Sequence, residues 1–146
     1  MSGNSTSPSK RIIIMLYGPH DSGKTTSLNH LIGLLDPNRK DWPQGKDREV
    51  LVDYEDARVA VTTKGDGLEE IEGNLKFAEE TGCDILVTAA RTRGATRKKI
   101  RDYASKPSIK LIEVGAYIAP QFANLVNPVL AASLKKIIEG LIKEHL

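Results

Sequence analysis

Arg11 to Tyr17 (RIIIMLY) holds an unbroken apolar run, Ile12 to Tyr17, rich in β-branched side chains, that stops at Gly18. A strand without polar alternation has to be buried on both faces, a condition met inside a parallel sheet covered by helices. Directly after it, Gly18-Pro19-His20-Asp21-Ser22-Gly23-Lys24-Thr25 satisfies G-x-x-x-x-G-K-[ST] at every fixed position. Lys24 to Leu35 follows, with Leu28, Leu31, Ile32 and Leu35 on one helical face. A buried strand, a glycine-bounded turn and an amphipathic helix in this order predict a loop at the strand's C-terminal end with a helix N-terminus aimed into it.

Each fixed position has a physical reason. Gly18 ends the strand and lets the backbone turn, and Gly23 permits close approach of an anion. The loop N–H groups then converge on negative oxygens, and the helix adds the positive end of its dipole. The Lys24 ammonium reaches β- and γ-phosphates, and the Thr25 hydroxyl suits Mg²⁺. The expected ligand-binding set is Gly18, Pro19, His20, Asp21, Ser22, Gly23, Lys24, Thr25 and Thr26. His20 and Asp21 read either as loop filler or as residues lining the substrate edge.

The rest of the chain alternates in the same manner. Two strand-like runs, Glu49 to Tyr54 and Arg58 to Thr63, are joined by Glu55, Asp56 and Ala57, a link short enough for an antiparallel hairpin. Leu68, Ile71, Leu75 and Ala78 mark a helix that ends near Thr81-Gly82. Asp84 to Ala89 is a further strand, Thr96 to Ala104 a helix and Lys110 to Val114 a last strand. Asn127-Pro128 reads as the start of the final helix, because Asn caps and Pro fits a first turn. The order β-α-β-β-α-β-α-β-α predicts a three-layer α/β sandwich: a mostly parallel sheet with one antiparallel edge strand, covered by helices.

The 146 residues suit one domain, taken as residues 11–146, after a polar Ser/Asn/Pro-rich tail at residues 1–10 that reads as disordered. Apolar residues make up 40% and charged residues 27%, a globular composition. No apolar run is long enough to cross a bilayer, and the start lacks a secretory core. Cys83 is the one cysteine, so no internal disulfide forms; together these features lead us to expect a cytoplasmic protein. The net charge of +2 and the few aromatics weigh against nucleic acid as a partner, although Arg91 to Arg101 is a basic segment. His30 and His145 show no metal spacing. Trp42, in the Pro- and charge-rich stretch Asp36 to Asp47, reads as a clamp for a base or acceptor or as an apolar anchor.

On the phosphate-loop motif and its strand–helix setting, the chain resembles the P-loop NTPase superfamily. It is also similar, through Gly65-Asp66, Cys83-Asp84 and the segment from Arg91-Thr92 to Gly94-Ala95-Thr96, to small uncharacterised prokaryotic and phage ATP-binding P-loop proteins. The resemblance implies a P-loop NTPase fold with Mg²⁺ and ATP as cofactors. Its members hold Mg²⁺ partly through an acidic residue after another strand. Asp66 is the candidate here, with helix capping a compatible role, and Asp53 is the second candidate. The stretch Val59 to Gly65 resembles the switch region of small GTPases, but Thr62 stands where their D-x-x-G has Asp, and no guanine-reading [NT]-K-x-D follows. GTP is not excluded; nothing favours it. Resemblance to small P-loop kinases makes Arg91 and Arg93, directly after a strand, candidates for stabilising a transferring phosphoryl group, alongside Lys24 and Asp66 as catalytic residues. Arg97, Lys98, Lys99 and Arg101 read as a solvated helix face. The expected activity is phosphoryl transfer to a small acceptor or to water. The alternative is a nucleotide-dependent switch that hydrolyses weakly and recruits a protein partner.

Overall fold

The computed structural model of the protein describes residues 10–19, 22–39, 48–116 and 120–146. The polar start at residues 1–9, Trp42, and His20 and Asp21 of the loop lie outside the described residues. The elements are β1 (Arg11–Tyr17), α1 (Lys24–Leu35), β2 (Glu49–Tyr54), β3 (Ala57–Thr62), α2 (Leu68–Thr81), β4 (Ile85–Ala90), α3 (Ala95–Tyr103), β5 (Ile109–Gly115) and α4 (Ala123–His145), the last preceded by a 3-10 turn at Pro120–Phe122. This is the order expected from the alternation of apolar patterns.

The five strands lie in the order β2-β3-β4-β1-β5. β1 pairs in parallel with β4 on one side and β5 on the other, Ile14 facing Val87 and Ile112. β3 is parallel to β4, and β2 is antiparallel to β3 at the edge. The sheet is thus mixed and mostly parallel. The hairpin turn is tighter than the sequence suggests: Ala57 pairs with Tyr54, leaving Glu55 and Asp56 as a two-residue turn. Both have positive φ, 48° and 68°, the backbone sense that matches strand twist in a two-residue hairpin.

Alternation along β1 divides the core. Ile14 and Leu16 join Val59, Val61, Val87 and Ala89 beneath α1 (Leu28, Leu31, Ile32) and α4 (Leu130, Leu134, Ile138). Ile13 and Met15 join Ala60, Leu86 and Ala90 beneath α2 (Ile71, Leu75, Ala78) and α3 (Ile100). Because both faces are covered, every residue of β4 is buried, in keeping with a composition that is apolar except for Thr88.

The final helix differs from expectation. It begins at Ala123, so Asn127 and Pro128 lie inside it and not at its start. Pro128 has no N–H to give to the Asn124 carbonyl, a cost that the pattern-based reading avoided by starting the helix there. Burial of Leu130, Ala131, Leu134 and Ile138 along α1 and the sheet holds the helix through that gap. Asn127 is consequently a buried residue and not a cap.

One close approach governs the top of the sheet. A β-carbon built on Gly65 would stand 2.4 Å from the Ala89 carbonyl oxygen and 2.7 Å from the Ala89 β-carbon. The chain leaving β3 therefore lies directly on β4, and only glycine fits there. Gly65→Ala should destabilise the protein by about 1–3 kcal/mol, lowering Tm by roughly 3–12 °C in a thermal melt. An unchanged Tm would refute the close packing.

Candidate functional site

The helix faces define where a ligand can enter. α1, after β1, covers one face of the sheet, and α3, after the neighbouring β4, covers the other. Where adjacent parallel strands send their helices to opposite faces, a crevice opens at their C-terminal ends. Here that crevice lies between the ends of β1 and β4, where the Gly18 N–H donates to the Ala90 carbonyl at 3.1 Å.

Gly23 starts α1 with φ of +83°, in the left-handed region that disfavours side chains. The first helical bond runs from Ser27 N–H to the Gly23 carbonyl at 2.9 Å. No side chain caps this end, and the first turn holds no acidic residue. The amide groups of Lys24, Thr25 and Thr26 thus precede the helical ladder, at the positive end of the helix dipole.

The Lys24 side chain is only 7% exposed. Its ammonium donates to the Gly18 carbonyl at 2.7 Å and the Pro19 carbonyl at 2.9 Å, folding the loop over itself. The Asp66 carboxylate stands 3.9 Å from Lys24 Nζ and 3.5 Å from Arg91 Nε, between two cations. The Thr25 hydroxyl donates to the Thr63 carbonyl at 3.3 Å, linking α1 to the end of β3. Ser22, Gly23, Lys24, Thr25, Thr26 and Asp66 line one open hollow of about 280 Å³. Of the expected site residues, these and Arg91 come together.

Arg93 does not join them. It lines a separate hollow with Thr92, Gly94 and the α3 residues Arg97, Lys98, Arg101 and Asp102. Asp53 lies at the opposite edge of the sheet, paired across the hairpin with Arg58. Nor is Asp66 the capping residue of α2. Glu70 does that, accepting from the Asp66 N–H at 2.9 Å and the Gly67 N–H at 3.1 Å. The cap position of α2 falls on Gly67 and not on Asp66.

Two residues around the site, Thr88 and Asn74, went unremarked in the sequence, and a third was read only as a helix cap. Thr62 Oγ1 and Thr88 Oγ1 are 2.7 Å apart, and Asn74 Nδ2 donates to Thr88 Oγ1 at 3.2 Å and to the Lys64 carbonyl at 2.8 Å. This uncharged network anchors the segment that carries Asp66. A lone Thr88 in an apolar strand, and Asn74 on the Ile71–Leu75–Ala78 stripe, were its available signals. The third residue is Asn127, whose amide packs against Gly23. Its neighbour Pro128 concealed it, since the pair reads as a helix start.

The basic segment divides likewise. Arg97 stacks on the Tyr17 ring at 3.8 Å, donates to the Thr92 carbonyl at 2.9 Å and pairs with Glu113 at 3.0 Å. Arg101 pairs with the same carboxylate at 2.9 Å, and Lys98 with Asp102 at 2.7 Å. Arg97 is therefore a strut fixing the loop after β4, not a solvated charge. Burial pushes the Glu113 carboxyl up, but hydrogen bonds and charge from Arg101 and Arg97 together outweigh it and hold it below its ordinary 4.5.

No family model matches the chain, and no curated protein matches it. Among solved structures it is similar to the crystal structure of APE1195, at 19% identity over 95% of this chain and 77% of that one, with a TM-score of 0.43. Among the described residues, no helix is long and apolar enough to cross a membrane, and no three His, Cys, Asp or Glu side chains group as a metal site.

The lowered Glu113 value sets a pH dependence. Its stabilisation is complete above the ordinary carboxyl range and is lost as pH falls below 4.5 through the folded-state value. Glu113→Gln should lower Tm at neutral pH, and the gap to the parent should close in acid. A gap that stays constant from neutral pH down to acid would contradict the link.

Proposed function

We propose that this chain is a P-loop NTPase that binds a nucleoside triphosphate, ATP by default, together with Mg²⁺ at the start of α1. The observation that carries the reading is the uncapped α1 terminus with its buried lysine: three leading amides and one ammonium, at the crevice between β1 and β4, with no acidic residue in the first helical turn. Such an arrangement is built to receive a polyphosphate. The strand order, with the loop-bearing strand in a parallel sheet between two helical layers, supports a P-loop NTPase fold.

The residues also suit a magnesium ion. Thr25 and Asp66 bring hard oxygen donors into the hollow that holds the loop, the ligand type Mg²⁺ prefers. These two residues would hold the ion, which supplies charge neutralisation between phosphate oxygens. Lys24 exchanges its bonds to the Gly18 and Pro19 carbonyls for phosphate oxygens. Arg91, released from Asp66, moves its charge toward the terminal phosphate. That placement would suit phosphoryl transfer to water or to a small acceptor, with Arg91 preferred over Arg93 because of the two only Arg91 contacts Asp66. One observation favours the second reading, a weakly hydrolysing switch that recruits a protein. Among the described residues Asp66 is the one acidic side chain lining the hollow, so metal binding and activation of a nucleophile would compete for it.

Lys24→Ala should weaken Mg-ATP binding by about 2–4 kcal/mol, on the order of 30- to 1,000-fold by calorimetry; parent-like affinity would remove the proposal. Arg91→Ala should slow phosphate release on the order of 10³-fold, by analogy with arginines that stabilise transferring phosphoryl groups, while Arg93→Ala changes it far less. Equal rates in Arg91→Ala and the parent would strike out that arginine.

A further inference from the structure

Two polar groups beside the loop make no hydrogen bond among the described residues, and one of them, Ser22 Oγ, is fully buried. Asn127 is 6% exposed, and its carboxamide makes no hydrogen bond among the described residues. It lies against Gly23: a β-carbon there would meet Asn127 Oδ1 at 2.7 Å and Nδ2 at 2.9 Å. Ser22 Oγ is buried and likewise has no partner among the described residues. A β-carbon on Gly18 would meet that oxygen at 2.6 Å and the Ala116 β-carbon at 3.0 Å.

Both unmet groups thus lie on the β5 and α4 side of the loop. Lys24, Asp66 and Arg91 occupy the β3 and β4 side. Leaving a buried hydroxyl unpaired is costly, and a nearly buried carboxamide without a partner beside it has hydrogen-bonding capacity to spare. The carboxamide sits within a small movement of the Ser22–Gly23 backbone. It offers two donors and an acceptor to a segment whose amides lead into α1.

We propose that Asn127 is a positioning residue of the phosphate loop: its carboxamide takes up hydrogen bonds to the Ser22–Gly23 segment when a polyphosphate seats on the α1 terminus. This rests on the nucleotide-binding reading above and adds to it a contact between α4 and the loop. The unpaired state belongs to the empty loop and the paired state to the filled one. Asn127 therefore contributes to ligand affinity and not to the stability of the free protein. Because the contact is with the loop and not with the nucleoside, it acts equally on ATP and on inorganic tripolyphosphate.

The test uses the full chain with Mg-ATP and Mg-tripolyphosphate, measured by calorimetry beside ligand-free thermal melts. Asn127→Ala removes the amide, and Asn127→Leu removes it while keeping the same branched side-chain shape. The expected result for both is a ligand-free Tm close to the parent's and a loss of affinity of roughly 5- to 100-fold, equal for the two ligands. If the parent binds both ligands and the variants bind as tightly, the proposal is overturned while the nucleotide-binding reading stands. Loss confined to ATP would also overturn it, assigning the amide to the nucleoside. A large fall in ligand-free Tm in both variants would make Asn127 a structural residue and overturn it as well. A parent that binds neither ligand would instead end the nucleotide-binding reading, and this proposal with it.

Discussion

Parallel pairing of β1 with both of its neighbours is the constraint on which the rest of the structure depends. A strand between two parallel partners cannot be joined to either by a tight turn, so each connection must cross over a face and return. The crossovers become the helices, and the helices bury the strands. All parallel strands then end at one edge. That edge gathers the chain after β1, which carries Gly18 and Gly23, the chain after β3, which carries Asp66, and the chain after β4, which carries Arg91. The site is a product of topology before it is a product of any one residue.

Much of this was legible because hydrophobic pattern and topology agree. Arg11–Tyr17, Lys24–Leu35 and Leu68–Thr81 have the bounds their periodicities suggest. Asn127-Pro128 misled because local rules favour a cap there, whereas the helix runs through the proline, with its buried apolar residues Leu130, Ala131, Leu134 and Ile138 all beyond it. Legibility of the site was uneven for a different reason. Lys24 and Thr25 are placed by a local motif that spans one turn. Asn74, Thr88 and Asn127 are brought in by elements distant in sequence, and a single polar residue on an apolar stripe does not announce its partner. Arg91 and Arg93 looked equivalent in sequence, but the chain bends at residues 92–94, so one faces Asp66 and the other the α3 surface.

The supports of the site are of two chemical kinds. On the α2 side the segment bearing Asp66 hangs on hydroxyl and amide groups, Thr62, Thr88 and Asn74, which do not titrate. On the α3 side the loop after β4 is held by the guanidinium of Arg97, itself held by Glu113. The position that is acidic in the small GTPase pattern is thus a neutral member of the first support. A carboxylate at Thr62 would have to be desolvated among apolar strands; Asp66, outside the strand and half exposed, avoids that cost.

The sheet also has two outer rims, β2 and β5, and open rims invite pairing between molecules. β2 carries Glu49 and Asp53 on either side of Leu51. If two molecules paired these strands antiparallel about Leu51, Glu49 of one would stand opposite Asp53 of the other, like charge against like. The hairpin that extends the parallel sheet by an antiparallel strand therefore also presents a rim that, in this register, repels its own copy.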